Sequence, residues 1–439
     1  MTKEADILIK NGMIVTMDDN LNIYNKADLA IKDSKIVDIS PSSKFKAKRT
    51  INASSKVVMP GLINGHTHAA MTLMRGIADD LPLDIWWPKI MFPIEKKFGG
   101  PEFIKIGVAL AAVEMIKSGT TSFLDMYFFE DDAAEICKKI GIRAFLGEGL
   151  LDFPTPDSPT LNDSIKYIEK LYNKWKDNPI IHPVVAPHAP YTCGPEVLKK
   201  AKDLAQKLNL PLHIHISETK NEVQGIKEKY GASPTQRLEK EGFLSEQVIA
   251  AHCVHLTKED IEILKKRDVK VIHCPESNMK LASGVAPIQD LLQANVTVGL
   301  GTDGAASNNN LNMFEEMDTA AKLHKVQKLD PTVVKAIDVV RMATRDGAKA
   351  MLRDDLGSLE VGKTADIIVL DFKKPHLTPL YNVYSHLVYS TNGEEVETVI
   401  IAGKTIMEER KILTLDEEKV IDDANKFAEK IKKEVEHLK

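Results

Sequence analysis

Four short stretches of this chain hold side chains that could do chemistry together: Gly65-His66-Thr67-His68, His215-Ile216-Ser217-Glu218, His252, and Gly301-Thr302-Asp303-Gly304. Each closes an apolar, β-branched run, so each side chain is expected at the tip of a buried strand. In a strand, residues i and i+2 share a face with Cα atoms roughly 6.5–7 Å apart. His66 and His68 can therefore converge on an ion held about 2.0–2.1 Å from each nitrogen. Three imidazoles and a carboxylate suit a divalent metal with an open position. A glutamate and a further histidine remain for proton transfer, and the set predicts a metal-assisted hydrolase.

The other histidines need sorting. Leu212-His213-Ile214-His215-Ile216 places two on one strand face. His215 is nearer the expected mouth and is assigned to the metal, leaving His213 to the core or to a supporting contact. Asp303 sits between glycines that let a carboxylate approach closely, although Asp-Gly is also a common turn. His252 ends its own strand. His188, in Ala-Pro-His-Ala-Pro-Tyr, is a candidate substrate contact. His255 reads as loop or support, His273 as either a substrate-orienting or a packing group, and His182 as facing the far end. No bridging lysine or carboxylate stands near the mouth at the fourth strand, which favours one metal over two.

Positioning these groups requires a repeated scaffold. Apolar strand cores occur at Val57–Asn64, Thr120–Asp125, Arg143–Leu151, Ile180–Pro187, Pro211–Ser217, Val248–His252, Val269–His273 and Val296–Thr302, with amphipathic stretches between them. Successive β-then-α units of this kind predict an α/β fold, a (β/α)₈ TIM barrel over residues 59–356. Residues 1–58 and 357–439 read as short strands separated by turns, predicted as antiparallel and as one discontinuous β-sandwich domain built from both chain ends. A terminal helix is expected from Asp416 onward. No G-x-G-x-x-G or P-loop points to a nucleotide fold instead.

Composition narrows the class. Across 439 residues, 43% hydrophobic and 28% charged content match an ordinary globular enzyme. The net charge of −5 argues against nucleic-acid and membrane partners. No run approaches the ~18 apolar residues of a membrane span, and the N-terminus lacks a signal peptide's apolar core. The cysteines form no C-x-x-C pair and no disulfide spacing, which suits a cytoplasmic location. A homo-oligomer is compatible with all of this.

Met59-Pro-Gly-Leu-Ile-Asn-Gly-His-Thr-His68, Ile216-Ser-Glu-Thr219, His273-Cys-Pro-Glu-Ser-Asn-Met-Lys-Leu281, Gly301-Thr-Asp-Gly304 and Gly357-Ser-Leu-Glu-Val-Gly-Lys-Thr-Ala-Asp366 together resemble the amidohydrolase superfamily. More closely they resemble its branch of methylthioadenosine/S-adenosylhomocysteine deaminases and related chlorohydrolases. The resemblance implies one divalent metal, zinc with iron(II) as the alternative, held by His66, His68, His215 and Asp303. It implies proton transfer by Glu218 and His252, with Asp303 passing a proton to the leaving amine. It also implies a 5′-modified adenosine as substrate, converted to the inosine analogue and ammonia. Glu95 matches the family glutamate that receives the ribose hydroxyls, and His188 a nucleoside contact. Trp86 and Trp87 would form an aromatic wall over the 5′ substituent, or simply pack on the barrel.

One departure stands out. Family members handling S-adenosylhomocysteine often carry an arginine after the third strand, where this chain reads Leu146-Gly-Glu148-Gly-Leu-Leu-Asp152. A glutamate there would repel the amino-acid carboxylate, which favours methylthioadenosine or another neutral substrate. Aminofutalosine, guanine, pterin or s-triazine rings remain open at this point. The H-x-E and P-C-x-x-C pattern of cytidine-type deaminases is missing. A scaffold without catalysis would be expected to have lost a ligand or Glu218, and none is lost.

Overall fold

A computed structural model describes residues 3–81 and 83–438. Five strands open the chain: β1 (Glu4–Val15), β2 (Ile23–Lys32), β3 (Lys35–Ser40), β4 (Lys46–Asn52) and β5 (Lys56–Pro60). Eight more follow: β6 (Leu62–Thr67), β7 (Thr120–Tyr127), β8 (Arg143–Leu150), β9 (Ile181–Pro187), β10 (Leu212–Ile216), β11 (Val248–His252), β12 (Lys270–His273) and β13 (Val298–Leu300). Four complete the set: β14 (Ile367–Asp371), β15 (Val396–Ile401), β16 (Lys404–Glu408) and β17 (Lys411–Ile412).

Strands β6 to β13 pair in chain order and in parallel. Every residue of β6, β7 and β8 is buried. Such continuous apolar strands need cover on both faces, which helices outside and side chains inside provide. The first and last strands are stitched together at the rim. Asp303 N donates to His66 O at 2.9 Å. The Asn64 side chain donates to Thr302 Oγ1 (2.7 Å) and accepts from Thr302 N (3.0 Å). The TIM barrel expected from the strand spacing is thus present, with all strand C-termini at one end.

Both chain ends meet in a second sheet of nine strands, where β14 of the C-terminal segment pairs with β5 of the N-terminal one. It is mixed rather than antiparallel throughout, because β1 runs parallel to β4 and β5. The connection after β3 carries the chain to the far edge of β1 instead of folding back as a hairpin. The run Val57–Asn64, expected as one strand, is two. It breaks at Gly61, where a Cβ would lie 2.1 Å from Thr121 Oγ1. The terminal helix, Glu417–Leu438, docks as expected, Phe427 meeting Phe98 and Phe103 edge-on. Among the described residues no helix is long and apolar enough to cross a membrane.

Candidate active site

Backbone strain at the strand ends aims the side chains. Ser217, His252, Cys253 and Asp303 all have positive φ, between 50° and 68°. Left-handed backbone at a residue bearing a Cβ costs about 1–2 kcal/mol, and it persists where surrounding contacts over-determine it. The result is convergence. The His66 ring lies 4.8 Å from those of His68 and His215 and 5.4 Å from that of His252, centroid to centroid. Asp303 Oδ1 stands 3.2 Å from His68 Nε2 and 3.5 Å from His66 Nε2. Candidate ligand atoms of His66, His68 and Asp303 lie within 4.8 Å of one another, as do those of His66, His215 and His252.

The hydrogen bonds behind these rings decide whether a metal fits. His68 Nδ1 faces Met126 O (2.7 Å) and His215 Nδ1 faces His188 O (2.7 Å). A carbonyl oxygen only accepts, so both Nδ1 atoms carry a proton, and the neutral form of each ring presents the Nε2 lone pair that a metal needs. His66 Nε2 is buried without a hydrogen-bond partner among the described residues. Asp303 Oδ2 accepts from Ser277 Oγ (2.6 Å) and Ser307 Oγ (2.9 Å), while Oδ1 takes Gly304 N (2.7 Å). Three nitrogen lone pairs and one anchored carboxylate share a space, and these residues fit a divalent cation.

Electrostatics agree with separate roles. Burial pushes His66 down to about 4 and holds His215 well below the ordinary histidine range. Burial opposes the charge on Asp303, yet the neighbouring His66 and His68 rings hold its carboxyl far below the usual range, and against the cost of burial Asp303 in turn raises His68 to about 9. Burial raises Glu218 and so favours its protonated form. His252 Nδ1 pairs with Asn278 Oδ1 at 2.9 Å, and its Nε2 lies 3.9 Å from Glu218 Oε2.

A cavity of about 1690 Å³ opens over this cluster and is lined by His68, His215, Glu218, His252, Asp303 and, further out, Trp86, Glu95 and His188. His66 lies beneath its floor, wholly buried. Glu95 follows one wide helical turn, Trp87–Met91, and accepts from Tyr127 Oη at 2.6 Å. Wide turns of this kind recur at functional sites. Burial pushes Glu95 up to about 7. Trp87 stacks on His188, with centroids 5.9 Å apart and planes inclined by 14°. All nine site residues expected from the sequence thus meet at one rim.

One expectation changes. Glu148 does not reach the cavity. Phe145 packs inside the barrel with Ile63, Leu124 and Val184, so alternation turns Glu148 outward, where it accepts from Glu130 N at 3.1 Å. The case against a charged 5′ substituent that rested on Glu148 therefore falls. His273 is buried against His324, with Nε2 atoms 3.0 Å apart, away from the cavity. His255 lines the outer cavity and holds Ser283 O at 2.7 Å. His182 lies at the far end beside Arg353. Sequence reasoning missed Tyr127, Asn278 and Glu222. The last accepts from Ser217 N (3.0 Å) and Glu218 N (2.7 Å), and so braces the peptide bearing Glu218. Its signal was present: Thr219 and Glu222 spell the Thr-x-x-Glu start of a helix.

The comparisons with known proteins fit this geometry. A 5-methylthioadenosine/S-adenosylhomocysteine deaminase of Syntrophobacter fumaroxidans is 46% identical over 98% of this chain and 99% of its own length. A 5′-deoxyadenosine deaminase of Methanosarcina acetivorans is 47% identical over 97% of this chain and 98% of its own. The crystal structure of an adenosine deaminase from Xanthomonas campestris with bound zinc superposes with a TM-score of 0.97, at 37% identity, covering 99% of this chain and 100% of that one. The amidohydrolase family model matches residues 57–406, spanning both the barrel strands and the site, and the chain belongs to the amidohydrolase family.

Proposed function

We propose that this protein is a hydrolase using one divalent metal, zinc, to deaminate a 5′-modified adenosine at C6. Water is consumed, and the inosine analogue and ammonia are released. The observation that carries the reading is the set of lone pairs on His68 and His215, together with the orphaned His66 Nε2, gathered around Asp303 beneath a cavity walled by aromatic rings and Glu95.

His66, His68, His215 and Asp303 would hold the ion. When bound, zinc lowers the pKa of a coordinated water from 15.7 towards ~7, which makes a nucleophile available at neutral pH. The protein supplies the proton traffic. Glu218, whose protonated form burial favours, donates to the ring nitrogen next to C6 and makes that carbon electrophilic. His252, its Nδ1 held by Asn278, presents Nε2 to receive a proton from the attacking water. Asp303 would take the second proton of that water as the C6 oxygen becomes a carbonyl and pass it to the amine, which leaves as ammonia, while His252 returns its proton to Glu218, 3.9 Å away. Glu95 offers a free oxygen to the ribose diol while Tyr127 occupies the other. His188 and Trp86 border the nucleoside.

The substrate reading is methylthioadenosine and/or S-adenosylhomocysteine. The deaminase activities named for the two relatives support a 5′-modified adenosine. With Glu148 outside the cavity, a 5′ group bearing a carboxylate is no longer disfavoured. Residues 59–356 would form the catalytic unit and residues 1–58 with 357–439 the smaller one. A cytoplasmic setting suits four free, buried cysteines. Self-association is read from the mass in solution by light scattering.

The test is ammonia release from zinc-loaded protein given methylthioadenosine, S-adenosylhomocysteine, 5′-deoxyadenosine and adenosine in turn. Turnover of at least one 5′-modified nucleoside is expected. Release from none of them, with turnover of a triazine or of guanine, overturns the proposal.

A further inference from the structure

We infer that His213 is a positioning residue, which reaches across the barrel to lock His66 in the tautomer that can bind metal. Resting on the metal reading above, the inference concerns a residue that contacts neither substrate nor ion. His213 lies on β10, two residues below His215, and His66 on β6. In an eight-stranded barrel these are the first and fifth strands, on opposite walls. Their imidazoles nevertheless meet, His66 Nδ1 lying 2.8 Å from His213 Nε2. The other nitrogen of His213 lies 3.0 Å from Ile249 O. Both rings are fully buried.

The proton positions follow from this chain. Ile249 O can only accept, so His213 Nδ1 carries a proton. A second proton on His213 Nε2 would make an imidazolium with no carboxylate against it in a wholly buried place, which is prohibitively costly. His213 Nε2 therefore accepts, and the shared proton belongs to His66 Nδ1. His66 Nε2 is left with its lone pair. His68 and His215 gain the same result from a backbone carbonyl each. His66 has no carbonyl there, and an imidazole serves in its place. The alternate-residue pair His213 and His215 thus divides the labour, the upper ring for binding and the lower for orientation.

The experiment measures zinc affinity by competition with a chromophoric chelator, on apo-protein variants whose fold is checked by circular dichroism. Changes to groups that orient metal-binding histidines typically cost 10–100-fold in affinity. His213→Leu is expected to weaken zinc binding by about 10–100-fold, and His213→Gln, which can accept from His66 and donate to Ile249 O, to recover most of it. Wild-type affinity in folded His213→Leu overturns the inference. If His213→Leu does not fold, the nitrogen-15 shifts of His66 in the wild-type apo-protein decide: protonated Nδ1 supports the lock, and protonated Nε2 refutes it. A His66→Ala variant separates the two layers. Unchanged zinc binding there removes the metal reading itself; loss there with none in His213→Leu removes only the lock.

Discussion

Charged and imidazole groups gather at both ends of this barrel, and the two ends use them oppositely. At the N-terminal end, Arg143 donates to both oxygens of Asp366 (2.8 and 3.0 Å) and to Pro179 O (2.5 Å). Asp366 also receives Ala402 N at 2.7 Å, and Arg353 joins His182 (2.8 Å) to Asp355 (2.7 and 2.9 Å). The charges there answer one another and tie the second sheet to the barrel floor. At the C-terminal end, lone pairs and a carboxylate face an open cavity, while the backbone beneath them is strained. Buried polar groups that satisfy each other hold a fold together. Groups whose lone pairs face a cavity can take a ligand.

That contrast can be broken or sharpened by mutation. The largest effect is expected at Glu218. Glu218→Gln should keep its metal and lose turnover by about 10²–10⁴-fold, the usual contribution of a general acid; kcat and metal content measured on one preparation check it. At the opposite end, Arg143→Leu strands Asp366 in the interior. Loss of one partner of a buried pair costs about 3–5 kcal/mol, so denaturant unfolding should show a fall of that order. The remaining folded enzyme should have unchanged KM. An equal loss of kcat would mean that the two ends are not independent.

Glu95 gives an intermediate effect with a pH signature. Burial penalises its charged form, so the group takes up a proton as pH falls through about 7. Reception of a ribose diol needs the ionised form, and KM for ribosides should therefore rise on acidification through that region. Glu95→Gln should raise KM at neutral pH and erase that limb of the profile. The smallest change is expected for Tyr127→Phe, which removes one hydrogen bond to a charged group, worth about 1.5–3 kcal/mol. KM should rise for ribosides and barely move for 2′,3′-dideoxy analogues, with kcat preserved.

Much of the site could be read from local pattern. Strand alternation put His66 and His68 on one face, and the position of each motif at the end of an apolar run put it at a rim. Those are properties of a few consecutive residues. Glu148 shows where local pattern stops. Its spacing is as regular as that of His68, but which face of β8 looks inward depends on how the sheet closes, a matter of register between distant strands. Tyr127 and Glu95 come together from different elements, through a contact no spacing encodes. Glu222 lay between these cases, written in a helix-start motif whose partner peptide only the fold identified.

By itself, then, the amino-acid order determined the alternating β and α elements, the candidate residue types and their places at strand ends, because periodicity and side-chain chemistry are local. The tertiary structure alone decided that His213 meets His66 across the barrel, that Glu148 lies outside the cavity, and that Tyr127 donates to Glu95. Those outcomes depend on closure of the barrel, which brings the first and fifth strands face to face and turns each parity into an inside or an outside.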